Sequence, residues 1–128
     1  MPAARLRRLA EAGLLDYAAM DIKNSPASYA KTVGLDGFDM GPVRESAAFL
    51  LEGALPYEFR TTVVRGLHEE RDFYEIGAWL RGARAYFLQT FVDSGDLIAP
   101  GLSGYTKAEM ERFAAVLRPF IPSVALRG

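Results

Sequence analysis

Three short stretches of strand-forming residues, each set apart from the next by a helical pattern, constrain this chain most. They are DYAAMDIK at 16–23, YEFRTTVV at 57–64 and RAYFLQTF at 84–91. The second is the clearest, dense in the aromatic and β-branched residues that pack well on a pleated surface. Strands joined through helices run parallel, by right-handed crossovers. The expected fold class is therefore α/β, with three parallel strands and flanking helices. Leu6, Leu9, Ala10 and Leu14 recur at helical spacing before the first strand. Ser25 and Pro26 read as a cap and first-turn pair opening a short helix. Val43, Ala47, Leu50, Leu51 and Ala54 stripe a helix over 42–52, and Phe73, Ile76, Trp79 and Leu80 another over 69–80. Thr106 and Glu109 form a capping box for a last helix. Residues 34–41 and 92–105 read as loops, and the tail at 121–128 as a short extended piece. A parallel sheet is normally covered on both faces and rarely stands with so few strands. Residues 1–128 are thus expected to be one domain, part of a larger αβ sheet or barrel.

Composition narrows the function. Fifteen Lys and Arg stand against 16 Asp and Glu, a net charge of −1, without the basic excess of a nucleic-acid footprint. The apolar runs are far shorter than the roughly 20 residues of a membrane span. The first residues lack the apolar core of a secretory signal, so a cytoplasmic protein is expected. The chain has no cysteine, so it offers no disulfide, no thiolate nucleophile and no thiolate ligand for zinc or an iron–sulfur cluster. His68 is the single histidine, which excludes a two-histidine metal site. No catalytic residue and no metal ligand is assigned.

Residues i and i+2 of a strand share a face. Tyr17, Ala19, Asp21 and Lys23 then lie on one side of the first strand. Glu58, Arg60, Thr62 and Val64 share a side of the second, and Phe87, Gln89 and Phe91 a side of the third. Such a face is unusually polar for a parallel sheet. A buried charge costs several kcal/mol unless paired, so Arg60 needs Glu58 or Asp21 beside it. In parallel αβ folds ligands bind at the C-terminal strand ends, where Asp21, Lys23 and Gln89 fall. The bland alternative for Asp21 and Lys23 is an exposed strand end. For His68 it is a solvated loop residue or a helix cap, and for Trp79 and Met20 core packing.

The stretches DYAAMDIKNSPASYAKTVG, YEFRTTVVRGLHEERDFYEIGAWL and YFLQTFVDSG resemble segments of the activating enzymes of glycyl-radical proteins, within the radical S-adenosylmethionine superfamily. The nearest likeness is to the anaerobic ribonucleoside-triphosphate reductase activating proteins. Pyruvate formate-lyase activating enzyme is a more distant one. The resemblance runs from about Leu6 to Asp96 and takes in the ending VALRG. It implies the C-terminal half of a partial (β/α)6 TIM-type barrel, with the three strands as its fourth, fifth and sixth. Such a barrel holds a 4Fe–4S cluster and S-adenosylmethionine, whose reductive cleavage gives a radical that takes hydrogen from a glycine of the partner. By that resemblance Asp21 and Lys23 contact the ribose and nearby polar groups. Arg60 lies near the methionyl moiety and the backbone of Thr62 near the adenine. Gln89 stands where the pyruvate formate-lyase type has a histidine.

The departures are as telling. The family's CxxxCxxC cluster motif and GGEP-like motif are both missing, so the chain reads as one that starts partway through such a protein. It ligates no cluster itself, and alone it is expected to be inactive as a radical enzyme. The implied partners are the glycyl-radical enzyme, anaerobic ribonucleoside-triphosphate reductase, and the missing N-terminal half of the barrel. Self-association through the exposed strand edge is a further expectation. The alternative function is a non-catalytic binding or interaction module derived from such a barrel, and a weaker one is a small nucleotide-binding α/β domain.

Overall fold

Each strand-like stretch is a parallel strand in the computed structural model, which describes residues 3–92 and 101–128. The chain runs α1 (Ala3–Glu11), β1 (Ala18–Asp21), a 3-10 turn (Pro26–Ser28), α2 (Tyr29–Val33), α3 (Gly41–Leu51) and β2 (Tyr57–Arg65). It continues through α4 (Glu70–Trp79), β3 (Tyr86–Thr90), β4 (Ser103–Gly104), α5 (Lys107–Leu117) and β5 (Val124–Arg127). The sheet order is β1-β2-β3-β5, every pairing parallel, so the fold class is α/β as expected. The tail is more than an extended piece. Val124 to Arg127 pair with Tyr86 to Gln89 and add a fourth parallel strand. The two-residue β4 pairs antiparallel with the end of β2. Part of the loop expected at 92–105 lies outside the described residues.

One sheet face is covered. Phe59, Val63, Tyr86 and Leu88 are fully buried with Leu50, Phe73, Ile76 and Leu117 of the helices. At apolar burial worth about 25 cal/mol per Å², this layer is the main source of stability. A polar chain through it starts at Tyr86, whose buried phenol lies 2.5 Å from the Thr61 hydroxyl. Thr61 in turn donates to the Ile22 carbonyl at 2.6 Å. The chain links β3 and β2 to the residue just past β1, and burial pushes the Tyr86 phenol's pKa up. Thr61→Val strands the Tyr86 hydroxyl without its acceptor. It is expected to lower stability by about 1–3 kcal/mol in a denaturant melt, while adding Tyr86→Phe recovers most of that loss. A double variant no more stable than the single one would contradict this.

The alternate residues face the other way. Ala19, Asp21, Thr62 and Gln89 are exposed, and Arg60 and Phe87 are half-buried. No helical layer among the described residues covers this face. Among the described residues β1 pairs only with β2, and no strand lies on its outer edge. Beside that edge lies a groove of about 510 Å³, lined by Leu6, Leu15, Ala18, Met20, Val43 and Leu50 among others.

Candidate functional site

The pleat and the register together build a polar cluster where β1 ends. Asp21 sits opposite Arg60 in the β1–β2 register. The Arg60 Nε donates to Asp21 Oδ1 at 2.9 Å, and Lys23 Nζ stands 3.6 Å from Asp21 Oδ2. Arg60 therefore takes Asp21 as partner rather than Glu58. These side chains are 43–55% exposed, so each pair is worth at most about 1 kcal/mol to the fold. The cluster adds little stability and leaves charged donors and acceptors open to a ligand. Thr62 and Gln89 are register partners on β2 and β3, both exposed on the same face. A cavity of about 320 Å³ at the strand ends is lined by Asp21, Lys23, Thr62, Val64, Leu67 and His68, among others. Asp21, Lys23 and Arg60 are thus in direct contact, and Asp21, Lys23 and Thr62 line the cavity. Arg60 and Gln89 share the face without lining that cavity.

Two features of this region were not legible as site residues. The first is a second polar row nearer the strand starts. Glu58 is nearly buried, and its carboxylate accepts from Tyr17 Oη at 2.7 Å and from Arg127 at 3.0 Å. The Arg127 guanidinium lies 3.6 Å over the Phe87 ring, reaching from β5 across β3 to β2. The hydrogen bond to Glu58 pushes the Tyr17 phenol's pKa up. The alternation in VALR, continued from the other strands, is the signal that places Arg127 on this face.

The second is His68, which is neither solvated nor a helix cap. It is 2% exposed. Its Nδ1 accepts the Val64 N–H at 3.0 Å, so the ring proton is on Nε2, which donates to the Lys23 carbonyl at 2.8 Å. Burial holds the imidazole below the ordinary histidine range. Around it the loop after β1 is sewn to the loop after β2. Asn24 donates to Thr32 Oγ1 and the Leu67 carbonyl, both at 2.9 Å. Ser25 and Ser28 hydroxyls donate to Asp72 Oδ1 at 3.1 and 2.8 Å. The Glu69 N–H donates to Asp72 Oδ2 at 2.8 Å, half of the capping box that opens α4. The Tyr105 hydroxyl donates to the His68 carbonyl.

No protein-family model and no curated protein matches this sequence. Solved structures do match its fold. One is a domain of pyruvate-formate lyase-activating enzyme from Bacteroides vulgatus ATCC 8482, with a TM-score of 0.73 at 10% identity, over 98% of this chain and 73% of that chain. Another is a radical SAM methyltransferase from Sphaerobacter thermophilus, with a TM-score of 0.75 at 17% identity, over 98% of this chain and 37% of that chain. This chain has the fold of those partial-barrel domains. At such identities the likeness is one of fold, and the second structure carries much chain beyond it. Among the described residues no helix is long and apolar enough to cross a membrane, and no group of three or more His, Asp or Glu side chains is placed to hold a metal.

The site's residues can be set against the groups the resemblance implies. The strand ends offer an acceptor in Asp21 and donors in Arg60, Lys23 and Gln89, the kinds of group that a ligand carrying hydroxyls, an ammonium and a carboxylate needs. They do not suit an iron–sulfur cluster, since the chain contains no thiolate to ligate iron.

Proposed function

We propose that this chain is the C-terminal part of a radical S-adenosylmethionine activating enzyme for a glycyl-radical protein, and that its open sheet face supplies half of the S-adenosylmethionine pocket. The observation that carries this reading is the Lys23–Asp21–Arg60 cluster at the C-terminal strand ends of a fold shared with such domains. In this reading Asp21 and Lys23 hold the ribose side of the ligand and Arg60 its carboxylate. Thr62 lends its backbone to the adenine, and Gln89 flanks the site. The cluster thiolates are the contribution of another segment or chain. Anaerobic ribonucleoside-triphosphate reductase is the proposed protein partner, and the cytoplasm the proposed location. The outer β1 edge and its groove are where the rest of the barrel, or a second copy of this chain, would add.

The second reading is a non-catalytic interaction module on the same scaffold. The absence of any cysteine in the sequence favours it. Binding separates the two. A charge-assisted contact is worth roughly 1.5–3 kcal/mol, and immobilising the ligand offsets several. Half a pocket is therefore expected to bind S-adenosylmethionine at about millimolar Kd by calorimetry, which is only about 4 kcal/mol. Lys23→Ala is expected to weaken that about tenfold, close to 1.4 kcal/mol. Micromolar binding indifferent to Lys23→Ala contradicts the pocket, and no binding at all leaves the interaction module.

A further inference from the structure

The buried imidazole behind the site has a task that the ligand-facing side chains do not perform. β1 ends at Asp21, and Lys23 is already outside the strand. Its side chain is 55% exposed and pairs only with Asp21. Nothing in that exposed pair fixes the backbone carrying it. Alongside the Asn24, Ser25 and Ser28 bonds of the same loop, His68 ties the Lys23 backbone itself to β2 through its two ring nitrogens. Nε2–H donates to the Lys23 carbonyl, and Nδ1 accepts the Val64 N–H near the end of β2. The ring stacks on Phe73 at 5.9 Å and is closed off from solvent. It also borders the same cavity as Asp21, Lys23 and Thr62. We propose that His68 is the positioning residue of this site: its neutral ring fastens the end of β1 to the end of β2 and so sets where Asp21 and Lys23 meet a ligand.

The bridge works in one protonation state. An imidazolium carries N–H on both nitrogens, and its Nδ1–H would point at the Val64 N–H. The charged groups that line the two cavities bordered by His68 are Asp21 and Lys23 at the end of β1, Lys31 of α2, and Glu69, Arg71 and Asp72 around the start of α4. The Tyr105 hydroxyl reaches the same residue's carbonyl. Asp72 and the Lys23 carbonyl pull toward protonation, the Val64 N–H at Nδ1 opposes it, and burial outweighs the pull and favours the neutral ring. The unfolded chain takes up this proton first. Stability is therefore full above pH 6.5, the ordinary histidine value, and falls as the pH drops below it. The bridge itself opens only when the native ring takes a proton, at a pH below the ordinary histidine value.

This inference rests on the S-adenosylmethionine reading for its ligand, but not for its geometry. The test uses the full chain, with calorimetric titration of S-adenosylmethionine and amide hydrogen exchange read side by side. Gln places a donor where Nε2 is, and Asn an acceptor where Nδ1 is. In wild type the affinity should hold through pH 6.5, the ordinary histidine value, and fall several-fold once the pH is low enough to protonate the buried ring itself. His68→Gln should stay within about twofold of wild type at neutral pH and lose most of that pH dependence, whereas His68→Asn should bind about fivefold or more weakly throughout. Protection of the Val64 amide in wild type, corrected for intrinsic exchange, should drop about tenfold over that same acid transition. That last measurement needs neither ligand nor variant. If S-adenosylmethionine does not bind, the functional reading fails while exchange still decides the bridge. His68→Asn binding as tightly as wild type, or Val64 protection unchanged in acid, would overturn the proposal.

Discussion

Phe73→Ala is expected to lower the stability of this protein by about 4 kcal/mol, within the range for truncating a buried phenylalanine. Phe73 is fully buried in the first turn of α4. Its ring stacks on Phe113 of α5 at 4.7 Å and on His68 at 5.9 Å. Removing it opens a cavity between the two helices that cover β3 and β5, and it bares one face of the imidazole. The loss has a transfer part and a cavity part, and close packing on both sides leaves little room for collapse. A domain of this size holds about 5–15 kcal/mol in total, so the midpoint should fall by some 12–20 °C. Phe73→Leu keeps most of the volume and should cost only about 1–1.5 kcal/mol. Thermal and urea melts of the two variants decide the matter, and equal losses would mean that the cavity is not what destabilises.

Asp72→Ala should cost about 3 kcal/mol by a polar route. One carboxylate accepts three bonds: two serine hydroxyls on Oδ1 and the Glu69 N–H on Oδ2. Ser25 is fully buried and loses the acceptor for its hydroxyl. A stranded buried donor costs about 1–3 kcal/mol, and the lost cap at the start of α4 adds about 1. Asp72→Asn keeps one acceptor oxygen and should fall between wild type and alanine. The damage should be local as well as global. Ser25 and Ser28 hold the segment that leaves Lys23, so S-adenosylmethionine binding should weaken in proportion to how far that loop lifts. A melt within about 1 kcal/mol of wild type would show that these serines find other acceptors or water.

Much of the fold is legible because it is encoded over a few residues. β-branched and aromatic density marked YEFRTTVV, and the Thr106–Glu109 capping box marked the start of α5, where the Thr106 side chain accepts from the Glu109 N–H as expected. The period of two placed Asp21, Arg60, Thr62 and Gln89 on one face before any neighbour was known, since the pleat is a property of the strand alone. The same rule applied to Val64 gave the right phase and missed its setting. Val64 is buried beneath β4 and bonded to His68, a pairing that depends on a segment about 40 residues further on.

What the amino-acid sequence determined by itself was the alternation of helix and strand, the parallel class, the polar face, and the lack of any thiolate for a cluster. Tertiary structure alone decided four other things. It chose Asp21 over Glu58 as the partner of Arg60, made the tail a fourth parallel strand carrying Arg127 to Glu58, put β1 at the edge of the described sheet, and buried His68 between two strand ends. The physical reason is range. Face and helix caps follow from bond geometry within a turn or a pleat. Register, edge and burial follow from which distant segments pack together, and the Lys23 carbonyl meets its imidazole across 45 residues of chain.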